Sequence, residues 1–162
     1  DCYPITLLLI GEDRTNGELQ TLIHQLSLDK IVKPLGTRCD IPELLAAADI
    51  FCLPSLHEGM PNAILEAMSA GLPIIGTSVG DISRMLDHGK CGTVVQKANE
   101  DQLAKRITDY IEEPSYAQRH GKLARERVID RYSLDRMVTA HENIYQKLVK
   151  QPRGCFAELG ES

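Results

Sequence analysis

Two carboxylates, Glu58 and Glu66, stand with seven residues between them in the stretch LPSLHEGMPNAILEAMSAGLPIIGT, residues 53–77. An apolar run, Ile50-Phe51-Cys52-Leu53, stops at Pro54, and a polar turn follows with His57, Glu58 and Gly59. Pro61 suits a first helical turn, because its fixed φ fits and its missing N–H would be an orphan there anyway. That helix puts Glu58 just before its start and Glu66 well inside it. Between them fall the first backbone N–H groups, near Met60, Asn62 and Ala63, which have no partner within a helix. Orphan donors and the helix dipole together favour an anion. A ligand with phosphate in its middle and hydroxyls at both ends matches this order, and a sugar nucleotide has that form.

The surrounding elements must hold these groups in place. Gly71 closes the helix, Pro73 blocks its continuation, and Ile74-Ile75 opens a new strand, giving a βαβ unit. Upstream, residues 5–10 form a continuous apolar run, which reads as a strand buried on both faces. A helix over about 17–27 and a strand over 31–35 follow. Asp40 with Glu43 three residues on reads as a capping box for a helix carrying Ile41, Leu44, Leu45 and Ala48. After the central unit, Val79-Gly80-Asp81 turns into a short helix over about 82–86, and Thr93-Val94-Val95 makes a last strand. Beyond it the pattern is helical: a helix capped by Asn99 or Asp101 and ended by Pro114, one over about 116–130, and one capped by Ser133.

This alternation predicts an α/β fold, a Rossmann-like parallel sheet with flanking helices and a helical C-terminal third. In such sheets ligands bind outside the carboxyl ends of the strands. Glu58, Arg38 and Gly80 are therefore expected on one edge. Residues 1–150 are expected to form the binding domain, and residues 151–162, without period, a flexible tail.

The run ADIFCLPSLHEGMPNAILEAMSAGLPIIGTSVGD resembles the donor-binding, C-terminal half of the retaining GT-B glycosyltransferases of family 4, the group 1 glycosyltransferases. Their pattern S-x-x-E-G-x-P-x-x-x-x-E-A-x-x-x-G-x-P is met at Ser55, Glu58, Gly59, Pro61, Glu66, Ala67, Gly71 and Pro73. The resemblance implies transfer of a sugar, in the hexosyltransferase class, from a nucleotide diphosphate sugar to a glycan, lipid-linked or small-molecule acceptor. It implies no metal and no cofactor, an acceptor-binding N-terminal domain in the same parent protein, and a role such as polysaccharide biosynthesis. It gives Glu58 a place beside the anomeric carbon, as a positioning and electrostatic residue, and gives Glu66 the ribose hydroxyls. Gly59, Met60, Asn62, Ala63 and Ile41 join the donor site, with Arg38 in the loop that cradles the base, where a guanidinium can stack on it. The implied location is the cytoplasm, with peripheral contact at the inner membrane face through the acceptor half.

Two positions depart from the family. Its diphosphate-binding Arg and Lys, in a G-R-x-x-x-x-K-G-like stretch, are absent, as if a first strand–helix unit preceded Asp1. Where the family often has Gly-Gly-x-x-Glu, this chain has Gly80-Asp81-Ile82-Ser83-Arg84, so the expected Glu is Arg84. His57 reads as a neighbour of the site, and Asp13 and Asp81 as turn residues.

Bulk properties agree. The chain has 162 residues, 43% hydrophobic and 25% charged, the balance of a globular domain. A net charge of −5 argues against non-specific nucleic-acid binding. Five cysteines form no C-x-x-C pair or zinc spacing and suggest reduced thiols. No apolar run reaches membrane-spanning length. A receiver-like signalling module is the rival class: Glu12-Asp13 and Lys97 answer part of its pattern, but no Asp follows Leu53. A GT-B-fold nucleotide-sugar epimerase or phosphorylase fits the central motif less well.

Overall fold

The computed structural model describes residues 3–150; the expected tail at 151–162 lies outside them. The chain divides between residues 44 and 45 into two compact units.

The first unit holds β1 (Leu7–Ile10), α1 (Glu18–Gln25) and β2 (Val32–Gly36), and α2 (Ile41–Ala47) begins within it. β1 and β2 pair in parallel, Leu7 opposite Val32, with a register shift between Leu9 and Ile10. β1 was expected to be buried on both faces, yet Leu7, Leu8 and Ile10 are exposed. The apolar run sets the strand, but burial depends on what covers its faces, and among the described residues β1 pairs with β2 alone. The capping box at α2 is also revised. The Asp40 carboxylate accepts a forked pair of bonds from Arg38, Nε at 2.8 Å and Nη2 at 2.5 Å, while the Leu44 N–H goes to the Asp40 carbonyl. Asp13 is the turn residue expected, accepting from the Thr15 N–H and hydroxyl.

The second unit carries β3 (Phe51–Leu53), α3 (Asn62–Ala70), β4 (Ile74–Thr77), α4 (Ile82–Met85), β5 (Thr93–Val95), α5 (Glu100–Glu112), α6 (Pro114–Tyr132) and α7 (Leu134–Lys150). Its sheet runs β3-β4-β5, parallel throughout, with Phe51 opposite Ile74 and Ile75 opposite Thr93. β4 is the middle strand and every residue in it is buried. Ile64 and Met68 of α3, Ile82 and Met85 of α4, Leu86 and Val95 are sealed in this core. Each such side chain contributes roughly 1.5–3 kcal/mol by transfer from water.

α3 and α6 cross closely. A Cβ on Gly121 would lie 2.1 Å from the Gly71 carbonyl oxygen, so only glycine permits the approach. Arg125 of α6 donates to the Ser69 carbonyl. Arg127 donates to the carbonyls of Met85 and Arg84, both at 2.8 Å, satisfying the end of α4. Pro114 was expected to end one helix; it also opens α6 at the first helical position, where proline is favoured.

Behind β4 lies a buried polar cluster. The Tyr110 hydroxyl donates to the Ile74 carbonyl at 3.2 Å, accepts from Thr93 Oγ1 at 3.0 Å, and meets His120 Nδ1 at 2.8 Å. Burial raises the Tyr110 pKa and lowers that of His120, so both are neutral near pH 7. Burial also pushes the Cys52 and Cys91 thiols up to about 11, which keeps them protonated and unreactive.

Candidate nucleotide-sugar site

The site forms where β3 ends. Leu53 is the last strand residue, and the chain turns through Pro54 to Met60 before α3 begins. Three contacts fix this turn. Ser55 Oγ donates to Glu58 Oε1 at 2.8 Å. The hydroxyl of Thr77, the last residue of β4 and only 3% exposed, donates to the Ser55 carbonyl at 2.6 Å. The Gly59 carbonyl accepts from the Asp81 N–H at 2.8 Å.

Gly80 completes the grip. Its φ is +51°, and a Cβ there would lie 2.3 Å from the carbonyl oxygens of both Glu58 and Gly59. A side chain at 80 would be strained and would collide with the turn. Glu58 and Gly80 thus come together at the carboxyl edge of the sheet. Gly59 differs: its φ is not positive, and a Cβ would meet no protein atom within 4 Å. The protein itself gives no reason for glycine at 59.

α3 begins one residue later than expected. Pro61 is its N-cap, with extended backbone, and Asn62 is its first residue. Proline offers no side-chain acceptor, no acidic residue stands in the first turn, and among the described residues no side chain caps this end. The Ile64 N–H folds back to the Pro61 carbonyl at 3.2 Å. The N–H groups of Asn62 and Ala63 are left to meet solvent or a ligand, and the helix dipole adds to their pull on an anion. Met60, exposed, sits just before them.

Glu66 lies on the outer face of the same helix, while Ile64, Ala67 and Met68 turn inward. Among the described residues its carboxylate has no hydrogen-bond or ion-pair partner. Arg38 and Ile41 belong to the first unit. The Arg38 guanidinium is engaged by Asp40, and that bond holds the Asp40 carboxyl below its ordinary range. Arg84, in place of the family's Glu, donates to Asp81 Oδ2 at 2.8 Å.

An open cleft of about 370 Å³ borders the turn, lined by His57, Glu58, Ser78, Gly80, Gln96 and Lys97 among others. His57 is exposed and lines this cleft. A larger groove of about 670 Å³ along α6 is lined by neither motif glutamate. Sequence reasoning missed the Thr77–Ser55–Glu58 chain of bonds. Its one sequence signal is a serine three residues before the glutamate, placed to reach back across a tight turn.

A parallel sheet with an uncapped helix N-terminus at its carboxyl edge places the chain among the α/β domains that bind ligands at that edge. Comparison narrows it. The model of the family "Glycosyl transferases group 1" matches residues 1–113; this chain belongs to that family. N-acetyl-alpha-D-glucosaminyl L-malate synthase of Bacillus anthracis is 29% identical over 147 residues, 91% of this chain and 39% of that protein. The crystal structure of Anabaena Alr3699/HepE in complex with UDP superimposes with a TM-score of 0.81 at 29% identity, over 93% of this chain and 42% of that one. The C-terminal domain of a group 1 glycosyl transferase (LpcC) from Francisella tularensis shares the fold, with a TM-score of 0.72 at 24% identity over 80% of this chain and 70% of that one. The chain spans about two fifths of the length of the first two proteins.

Proposed function

We propose that this chain is the donor-binding domain of a retaining glycosyltransferase whose substrate is a nucleotide diphosphate sugar. The observation that carries the reading is the uncapped start of α3, flanked by the two motif glutamates. The diphosphate docks on the N–H groups of Asn62 and Ala63. Glu66 takes the ribose hydroxyls through charge-assisted hydrogen bonds, and Glu58 stands beside the sugar's anomeric carbon. The open space at Gly59 lets the sugar approach the backbone, with Met60 against the ligand. The solved Anabaena relative, in complex with UDP-glucose, supports this ligand class.

The chemistry requires no metal in this reading. Negative charge on the leaving diphosphate is met by oriented N–H groups and by cations from the rest of the parent protein, which act through electrostatic stabilisation. A separate N-terminal domain holds the acceptor. The parent works in the cytoplasm and touches the membrane face through that half; among the described residues no helix is long and apolar enough to cross a membrane.

Titration of UDP into the purified chain, followed calorimetrically, tests the reading. Binding should be weak but measurable, and Glu66→Gln should weaken it by about tenfold, the scale of one charged hydrogen bond. Equal affinity of both proteins for UDP, or none in either, would remove the assignment of α3.

A further inference from the structure

We propose that Ser55 is a positioning residue for sugar transfer, acting through Glu58, with Thr77 as its buried anchor. The proposal rests on the reading of Glu58 given above. Glu58 lies on an exposed turn, where a carboxylate on rotatable bonds would sample several directions. Among the described residues Ser55 Oγ is its one hydrogen-bond partner, at 2.8 Å. Ser55 is in turn held: Thr77 Oγ1 donates to its carbonyl at 2.6 Å, and Thr77 is sealed in the end of β4. The chain of bonds therefore runs from the rigid middle strand of the sheet to one carboxylate oxygen at the surface. The opposite side of the turn is fixed by the Asp81 N–H on the Gly59 carbonyl and by the close seat of Gly80.

This arrangement has a definite chemical consequence. Ser55 occupies one lobe of the carboxylate and leaves Oε2 free, so the negative charge presents one oxygen in one direction. Positive charge develops at the anomeric carbon only as the glycosidic bond to the diphosphate breaks. A fixed carboxylate stabilises that moment without reorganising, whereas a mobile one must first be ordered. The benefit belongs to the transition state and not to donor binding, so it appears in kcat and leaves KM nearly unchanged. A serine that only stabilised the turn would act on folding instead.

The test uses the full-length transferase containing this domain, with Ser55→Ala, Ser55→Thr, Thr77→Val and Glu58→Gln assayed side by side. Ser55→Ala should lower kcat by about tenfold with donor KM within about twofold, the pattern of an interaction made only in the transition state. Ser55→Thr, which keeps the hydroxyl, should restore most of the loss. Thr77→Val, nearly the same shape, should lower kcat by a smaller factor in the same direction, and it decides the matter if Ser55→Ala does not fold. Unchanged kcat in both Ser55→Ala and Thr77→Val, alongside an impaired Glu58→Gln, overturns the proposal and leaves Glu58 standing. Unchanged kcat in Glu58→Gln overturns the reading of Glu58 and the proposal with it. A fall in melting temperature with normal kcat makes Ser55 structural and also overturns it.

Discussion

At the scale of single residues, the two motif glutamates make different contacts and should fail differently. Glu58 is held by Ser55 at the turn, while Glu66, on the outer face of α3, has no partner among the described residues. On the proposed reading, Glu66→Gln removes a charge from hydrogen bonds to the donor that exist before and during reaction. That is uniform binding, so the donor KM should rise more than kcat falls. On the same reading, Glu58→Gln keeps the shape but removes negative charge where positive charge develops, and kcat should fall by about 10²-fold or more. Steady-state kinetics of the parent enzyme, with melting curves as a folding control, separates the two. Loss confined to KM in both variants would make Glu58 a substrate holder. Both glutamates were legible from the run of motif residues around them, not from their spacing alone. Thr77 was not legible, because a threonine closing a buried strand looks like any other until the fold brings Ser55 within reach of its hydroxyl.

At the scale of elements, the strand and helix order followed from apolar runs, glycines and prolines, and β5 begins and ends where its apolar run does. The start of α3 moved by one residue because proline serves equally well just outside a helix. The tight α3–α6 crossing was invisible beforehand, since Gly71 and Gly121 lie fifty residues apart in sequence. So was the Tyr110–His120 contact that ties α5 to α6 behind β4. This contact carries a pH signature. Burial favours neutral His120, so its native pKa lies below the ordinary 6.5. Between those two values the unfolded chain holds the extra proton, and stability therefore falls as pH drops below about 6.5. Melting temperatures measured from pH 7.5 down to 5.5 should decline, and His120→Asn should flatten the decline. The carboxylates with lowered pKa values, Asp87 and Asp109 among them, titrate below this window and leave it clear. A decline of equal slope in the variant would assign it to other groups.

At the scale of the whole molecule, periodicity foretold amphipathic helices but not what covers them. α7 has an apolar face of Leu134, Met137, Val138, Ile144, Tyr145 and Leu148, and every one of these is exposed. β1 shows the same divergence between an apolar sequence and an uncovered surface. A hydrophobic pattern records that a surface is meant to be buried, while the burying partner can be encoded elsewhere. These uncovered surfaces, with a span of about two fifths of the relatives' length, bear on what the chain does alone. Transfer needs an acceptor held in line with the donor sugar, and positioning of that kind can supply about 7–11 kcal/mol of a barrier. On the proposed reading the acceptor surface and the diphosphate cations both lie outside this chain. The purified 162-residue chain should therefore show no turnover with UDP-glucose, UDP-galactose or UDP-N-acetylglucosamine, against water or simple glycosides, even where UDP binding is measurable. The parent protein, assayed with the same donors and its own acceptor, should turn over. Steady product formation by the chain alone, abolished by Glu58→Gln, would mean that one domain assembles the whole reaction centre, and the division of labour between donor and acceptor halves would have to be abandoned.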